Sequence, residues 1–157
     1  MNSRIPEKIA TLGFPDMEGV VLAGSGVLEL HGIRPARDID LATTRANIDH
    51  LFATQPGQWK SVTHDYDRLR DGTPFTLESY EDVTGEFDIW EETWYHPGRP
   101  IGDRIIRLDE LLANSTQHKL GFHVLNLEFE MEMRMASDSD KHRSDVRRYH
   151  QWRNNGY

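Results

Sequence analysis

A chain of 157 residues with 37% hydrophobic content has the size and apolar fraction of one globular domain, read here as residues 1–157. It contains no cysteine, which excludes disulfides and thiolate zinc sites, and no apolar run long enough to span a membrane. A net charge of −8 argues against wrapping a long duplex nucleic acid, which needs a basic footprint.

The first residues, Met1 to Lys8, lack the apolar core of a signal peptide, so the cytoplasm is the expected compartment. Val20–Ala23 reads as a short buried strand stopped by Gly24. Ser25 is placed to cap a helix over residues 26–31, and Gly32 to end it. Pro35 holds the next segment extended, and residues 38–43 form a second strand. Thr44 or its neighbour caps a helix over about residues 45–53, with Ile48, Leu51 and Phe52 as its apolar face. Residues 59–64 and 75–80 read as strands around the turn-rich Asp71-Gly72-Thr73-Pro74, and residues 87–90 as a strand after a turn at 81–85. Leu108–Ala113 reads as a short helix.

Leu127–Met135 supports two readings. Its apolar residues fall on every second position, as in a strand, yet Leu, Glu, Met and Arg favour a helix and Asn126 is a ready N-cap. The helix is the favoured reading. A last helix follows, capped by Ser137 or Ser139, with Asp138 and Asp140 in its first turn and Val146, Tyr149 and Trp152 as its stripe. Lys141 and Asp145 stand one turn apart, as a pair would.

The chemistry concentrates at Gly24-Ser25 and Asp38-Ile39-Asp40-Leu41. In a strand, residues two apart share a face, so Asp38 and Asp40 project side by side. Two like charges raise each other's pKa unless a cation neutralises them, and hard oxygen ligands select Mg²⁺ or Mn²⁺. The Gly-Ser turn, opening a helix, offers free backbone amides to a phosphate. The bland alternative is an edge acid pair tied to Arg34 and Arg37. No histidine pair has convincing zinc-ligand spacing, and the four tryptophans read as packing rather than as a base-stacking platform.

These residues resemble the signature of the nucleotidyltransferase superfamily, the DNA polymerase beta-like fold: a small residue pair after a strand, a short helix and turn, then acid-hydrophobe-acid-hydrophobe. The resemblance spans about residues 20–152. It implies an α/β domain with a short mixed sheet of roughly four or five strands and helices packed mainly on one face. It also implies a third acid on a later strand, for which Asp88 in Glu86-Phe87-Asp88-Ile89-Trp90 is the candidate, and triphosphate-neutralising cations at Arg134, Lys141 and Arg143. The family usually carries a basic residue directly before the C-terminal Asp, where Ser144 stands here.

By that resemblance Asp38, Asp40 and Asp88 hold two divalent ions and a nucleoside triphosphate donates its monophosphate to a hydroxyl, releasing pyrophosphate. The acceptor is a small molecule, a protein or a tRNA end, with a partner protein or a homodimer completing its surface. A catalytically silent binding or regulatory module, as in a toxin-antitoxin pair, is the alternative, and a metal-dependent phosphohydrolase a third.

Overall fold

The computed structural model describes residues 2–66, 75–96, 104–137 and 139–156. The turn expected at Asp71-Gly72-Thr73-Pro74 and the helix-start residue Asp138 lie outside them. In chain order, helix α1 (Ile5–Thr11) and a 3-10 turn (Met17–Gly19) lead into strand β1 (Val20–Ala23), helix α2 (Ser25–Leu30), strand β2 (Ile39–Thr43) and helix α3 (Arg45–Thr54). Strands β3 (Trp59–Tyr66), β4 (Phe75–Asp82) and β5 (Phe87–Glu91) follow, then β6 (Thr93–His96) and β7 (Arg104–Arg107). Helix α4 (Leu108–Ala113), strands β8 (Ser115–Gln117) and β9 (His123–Leu125), and helices α5 (Leu127–Met135) and α6 (Asp140–Asn154) complete the order.

The four residues of β1 are all fully buried, so this continuous apolar run sits inside the sheet rather than at its edge. Seven strands pair in the order β3-β4-β5-β2-β1-β9-β8, and β6 and β7 form a separate ribbon. The β5-β2 and β1-β9 pairs are parallel and the others antiparallel, giving the mixed α/β architecture expected. The sheet is wider than the four or five strands expected. The short β8 and β9 carry no alternating apolar pattern that would have announced them.

One face of β2 shows Ile39, Leu41 and Thr43, and it is covered by helices. Phe52 of α3 meets Tyr80 edge-on at 5.5 Å, and Asn47 of α3 donates to the Thr43 hydroxyl at 2.9 Å. Gly26 of α2 packs so closely on Leu22 that a Cβ there would approach its Cδ1 at 2.7 Å. The Thr44 hydroxyl caps α3, accepting from the Asn47 amide at 3.2 Å.

The other face carries Asp40 and Ala42 beside Asp88 and Trp90. Glu92 is the one non-glycine residue with positive φ among the described residues, at 54°. Its amide donates to the Thr43 carbonyl at 2.7 Å and its carbonyl accepts from Leu108 at 2.9 Å. This kink turns the chain out of β5 into the ribbon and brings Trp94 against Trp90, with ring centroids 5.7 Å apart. Among the described residues no helix is long and apolar enough to cross a membrane.

Residues 127–135 are helical. The buried positions of α5 are Leu127, Glu130, Met131, Met133 and Arg134, so the helical spacing is carried partly by two charged residues that neutralise each other one turn apart. Asn126 occupies the N-cap position, but its side-chain oxygen accepts from Thr116 at 3.0 Å and makes no cap bond. Similarly, Ser139 precedes α6 without a side-chain cap.

Candidate functional site

Three elements build the site. The parallel register sets Asp40 of β2 directly beside Asp88 of β5, while the antiparallel register sets Ala23, the last residue of β1, beside Asp40. Gly24 follows with φ 66° and ψ −147°, a conformation close to one that glycine alone adopts readily. Its bare Cα is required twice over. A Cβ would run into Asp40 Oδ2 and lie 3.2 Å from its Cγ. Gly24 takes the N-cap position expected of Ser25, and the buried Ser25 is the first residue of α2.

The third element is α5. Glu130 accepts from the Gly24 amide through Oε1 at 2.6 Å and from Arg134 Nε through Oε2 at 3.0 Å. Arg134 donates on to Asp145 Oδ2 at 2.5 Å, and Arg34 grips the same carboxylate at 2.5 and 2.9 Å. Glu130, Arg134 and Asp145 are buried polar residues, so the glycine turn, α5, α6 and the approach to β2 are joined by one buried ionic chain. This corrects the expected Lys141–Asp145 pair: Asp145 is taken by two arginines, Arg34 holding both its oxygens in a bidentate grip and Arg134 one of them, in place of a flexible ammonium.

A cleft of about 220 Å³ opens over this floor. Of the residues expected at a site, Gly24, Ser25, Asp40, Arg134 and Lys141 line it, together with Trp90, Trp94, Glu130, Met133 and His142. Asp88 lies just outside that lining, next to Asp40. Asp38 precedes β2, close enough for its charge to act on both Asp40 and Asp88. Arg143 stands outside the cleft, exposed and 3.4 Å from Asp140.

Electrostatics mark the acids. Burial, and after it the charges of Asp38, Asp88 and Glu130, push the Asp40 carboxyl well above the carboxylate range, against a smaller opposing pull from Lys141. Burial also raises Asp88 to about 6, with the Ser79 hydroxyl bond and His64 opposing and Glu81 and Asp38 adding. Asp88 Oδ1 is buried without a hydrogen-bond partner, as are Trp90 Nε1 and His142 Nδ1. Among the described residues, no group of three His, Cys, Asp or Glu side chains is arranged to hold a metal ion.

Sequence reasoning missed Glu130, and it named Arg34 only beside the acid pair, not as the partner of Asp145. The signal for Glu130 was present in its i,i+4 spacing from Arg134. For Arg34, 111 positions from Asp145, nothing local pointed to the partner.

No protein-family model and no curated protein matches the chain. Among solved structures it is similar to a "putative nucleotidyltransferase from H. pylori" at 13% identity and a TM-score of 0.37, over 86% of this chain and 59% of that one. It is also similar to JHP933 from Helicobacter pylori at 14% identity and a TM-score of 0.38, over 89% and 60%. The chain therefore spans about three-fifths of the length of both.

Proposed function

We propose that this chain is a nucleotidyltransferase, moving a nucleoside monophosphate from a nucleoside triphosphate to a hydroxyl acceptor with loss of pyrophosphate. The observation that carries this reading is the Asp40-Asp88 pair. Two carboxylates stand side by side, both pKa values are raised, and one buried oxygen has no partner. An all-oxygen, doubly anionic donor set suits Mg²⁺ or Mn²⁺, with Asp38 adding charge beside it. Such an ion, when bound, neutralises the triphosphate and favours ionisation of the acceptor hydroxyl.

The chain's own groups do the rest. Ser25 and the start of α2 line the cleft, where the hydroxyl and the opening amides are the groups offered to phosphate oxygens, while the missing Cβ of Gly24 makes room for the Asp40 carboxylate. Lys141 supplies a mobile positive charge at the cleft wall. Arg134 is held by Glu130 and Asp145, so it acts as a fixed charge. Arg143 meets only groups that project beyond the cleft. The acceptor is a small molecule, a protein or an RNA end.

A specific observation favours a second reading, the silent binding module. The Gly24 amide is already taken by Glu130, and no three-ligand cluster exists among the described residues. One experiment separates the two: incubation with labelled nucleoside triphosphates, Mg²⁺ or Mn²⁺ and a cell extract. Label appearing on an acceptor, and lost in Asp40→Asn, supports transfer. Triphosphate binding without labelling supports the module.

A further inference from the structure

A second cavity, of about 280 Å³, lies between the start of α1, helix α2, the approach to β2 and the head of β5. Its charged lining is Arg4, Lys8, Glu29, Arg37, Asp38 and Glu86. Two of the three carboxylates are spent. Glu29 accepts from the Ser3 hydroxyl and, at 3.0 Å, from the Ala36 amide, and Glu86 holds Lys8 at 3.0 Å. The other three charges stand apart. Arg4 and Arg37 are exposed and make no hydrogen bond or ion pair with any described residue. With 26 acidic residues against 18 lysines and arginines in the chain, they are not short of partners. Asp38 is half-buried and equally unpartnered, because Arg34, which feels its charge, is committed to Asp145. The tie of the acid pair to Arg34 and Arg37 that the sequence allows therefore does not form. Asp38 also links this cavity to the acid corner, since its charge acts on both Asp40 and Asp88.

We propose that this cavity seats the acceptor, and that the acceptor is a small phosphate monoester with a free hydroxyl, such as a sugar or polyol phosphate. Arg4 and Arg37 balance the charge of about −2 that a phosphate monoester carries at neutral pH. Their guanidinium forks fit its oxygens in a bidentate manner that a lysine does not match. Asp38, able only to accept, takes the hydrogen bond of the ligand's hydroxyl and keeps that oxygen on the side of Asp40 and Asp88. The volume lies near the lower end of the roughly 300–1,000 Å³ of small-molecule pockets, room for one sugar phosphate and not for a polymer. The proposal rests on the nucleotidyl-transfer reading above and names the class of compound that receives the nucleotide. In that transfer the acceptor oxygen bonds to the α-phosphorus, the bond from that phosphorus to the pyrophosphate oxygen breaks, and the hydroxyl proton passes to water. The product is a phosphodiester that keeps the monoester at its far end.

Calorimetry on the full chain tests this with glycerol phosphate, ribose phosphate and glucose phosphate. Ribose, inorganic phosphate and a short RNA with a free terminal hydroxyl serve as comparisons. At least one monoester should bind about tenfold or more tightly than inorganic phosphate, the difference a hydroxyl bonded to a carboxylate makes, and ribose should not bind. Arg4→Gln and Arg37→Gln should each weaken the monoester about tenfold, the loss of a charge-assisted hydrogen bond. Both side chains are exposed, so the melting temperature should not move. Tripolyphosphate with Mg²⁺, which belongs to the cleft, should bind wild type and both variants alike. No monoester binding, or binding that both variants leave unchanged, would overturn the proposal. Monoesters no tighter than inorganic phosphate would make this an adventitious anion site only and overturn it equally. RNA bound through the two arginines, with no monoester bound, would replace the small acceptor by a polymer end. Arginine-dependent monoester binding in a chain that binds no tripolyphosphate would leave the ligand site standing and overturn the transfer reading, and the acceptor role with it.

Discussion

Asp145→Asn tests whether the buried ionic chain holds the site together. The Asp145 side chain is 3% exposed, and its partners Arg134 and Arg34 are 5% and 11% exposed. Removing one member of such a buried pair costs about 3–5 kcal/mol, because the surviving charges stay desolvated without compensation. Asparagine keeps one acceptor oxygen, which places the expected loss near the lower figure, about 3 kcal/mol. At roughly 2–4 °C per kcal/mol for a domain of this size, the melting temperature should fall by about 6–12 °C. Urea and thermal unfolding followed by circular dichroism measure both quantities. The pH dependence gives an independent check. Burial pushes the Asp145 carboxyl up, but the Arg34 hydrogen bond and the Arg134 and Arg34 charges outweigh it and hold the group below the usual range. A depressed folded pKa gives stability that is complete above the unfolded value and is lost as pH falls through the folded one. The gap between wild type and variant should therefore be flat from about pH 5 to 8 and shrink below about pH 4. A loss under about 1 kcal/mol at neutral pH, the range of an exposed pair, would refute the reasoning.

Four further outcomes follow from the same geometry. Gly24→Ala should cost more than about 2 kcal/mol, from positive-φ strain and the clash with Asp40, and should abolish triphosphate binding; near-wild-type unfolding would place the glycine elsewhere in importance. Glu130→Ala should destabilise by about 3 kcal/mol and Glu130→Gln by markedly less, since the amide oxygen still accepts from Gly24; equal losses would deny that bond a role. Asp88 is raised to about 6 by burial, so its contribution is present below about pH 4 and is lost as pH rises through 6. Asp88→Asn should accordingly stabilise the ligand-free protein at pH 7 by about 1 kcal/mol after allowance for solvent screening, and a destabilised variant would show the ionised carboxylate to be satisfied. Mg²⁺ with a triphosphate at about 100 times its Kd should add roughly 2.7 kcal/mol to stability, seen as a raised melting temperature that Asp40→Asn/Asp88→Asn lacks.

Much of this was legible in the sequence because it was local. Val20–Ala23 is a continuous apolar run, Thr44 caps α3, and Leu108–Ala113 has the bounds of the helix read there. Asp40 and Asp88 could be chosen as partners because each interrupts an apolar strand, and the register places them side by side. Three things were hidden, each for a physical reason. Residues 127–135 looked ambiguous because Glu130 and Arg134 occupy the inward face that apolar residues usually fill. The cap role passed from Ser25 to Gly24 because the close approach of Asp40 admits no side chain there. The partner of Asp145 was invisible because it is set by tertiary contact between residues far apart, whereas the local candidate, Lys141, faces the cleft instead.

That separation has a consequence for how the protein comes into being. The Gly24–Glu130 bond closes a loop of 106 positions and the Arg34–Asp145 bond one of 111, so the two contacts that shape the cleft are among the most non-local in the chain. On a ribosome, the strand bearing Asp40 is synthesised long before the helices that close over it. Until Glu130 and Asp145 emerge, the Gly24 amide lacks its carboxylate acceptor and Arg34 keeps only the neighbouring Pro35 carbonyl. Contacts of such long range form late and are entropically expensive to close. The reverse order should hold on opening: α5 and α6 should exchange their amide hydrogens by a sub-global release that leaves β1, β2 and β5 protected. A nascent or partly opened chain would then keep its sheet while lacking the cleft until α5 and α6 dock.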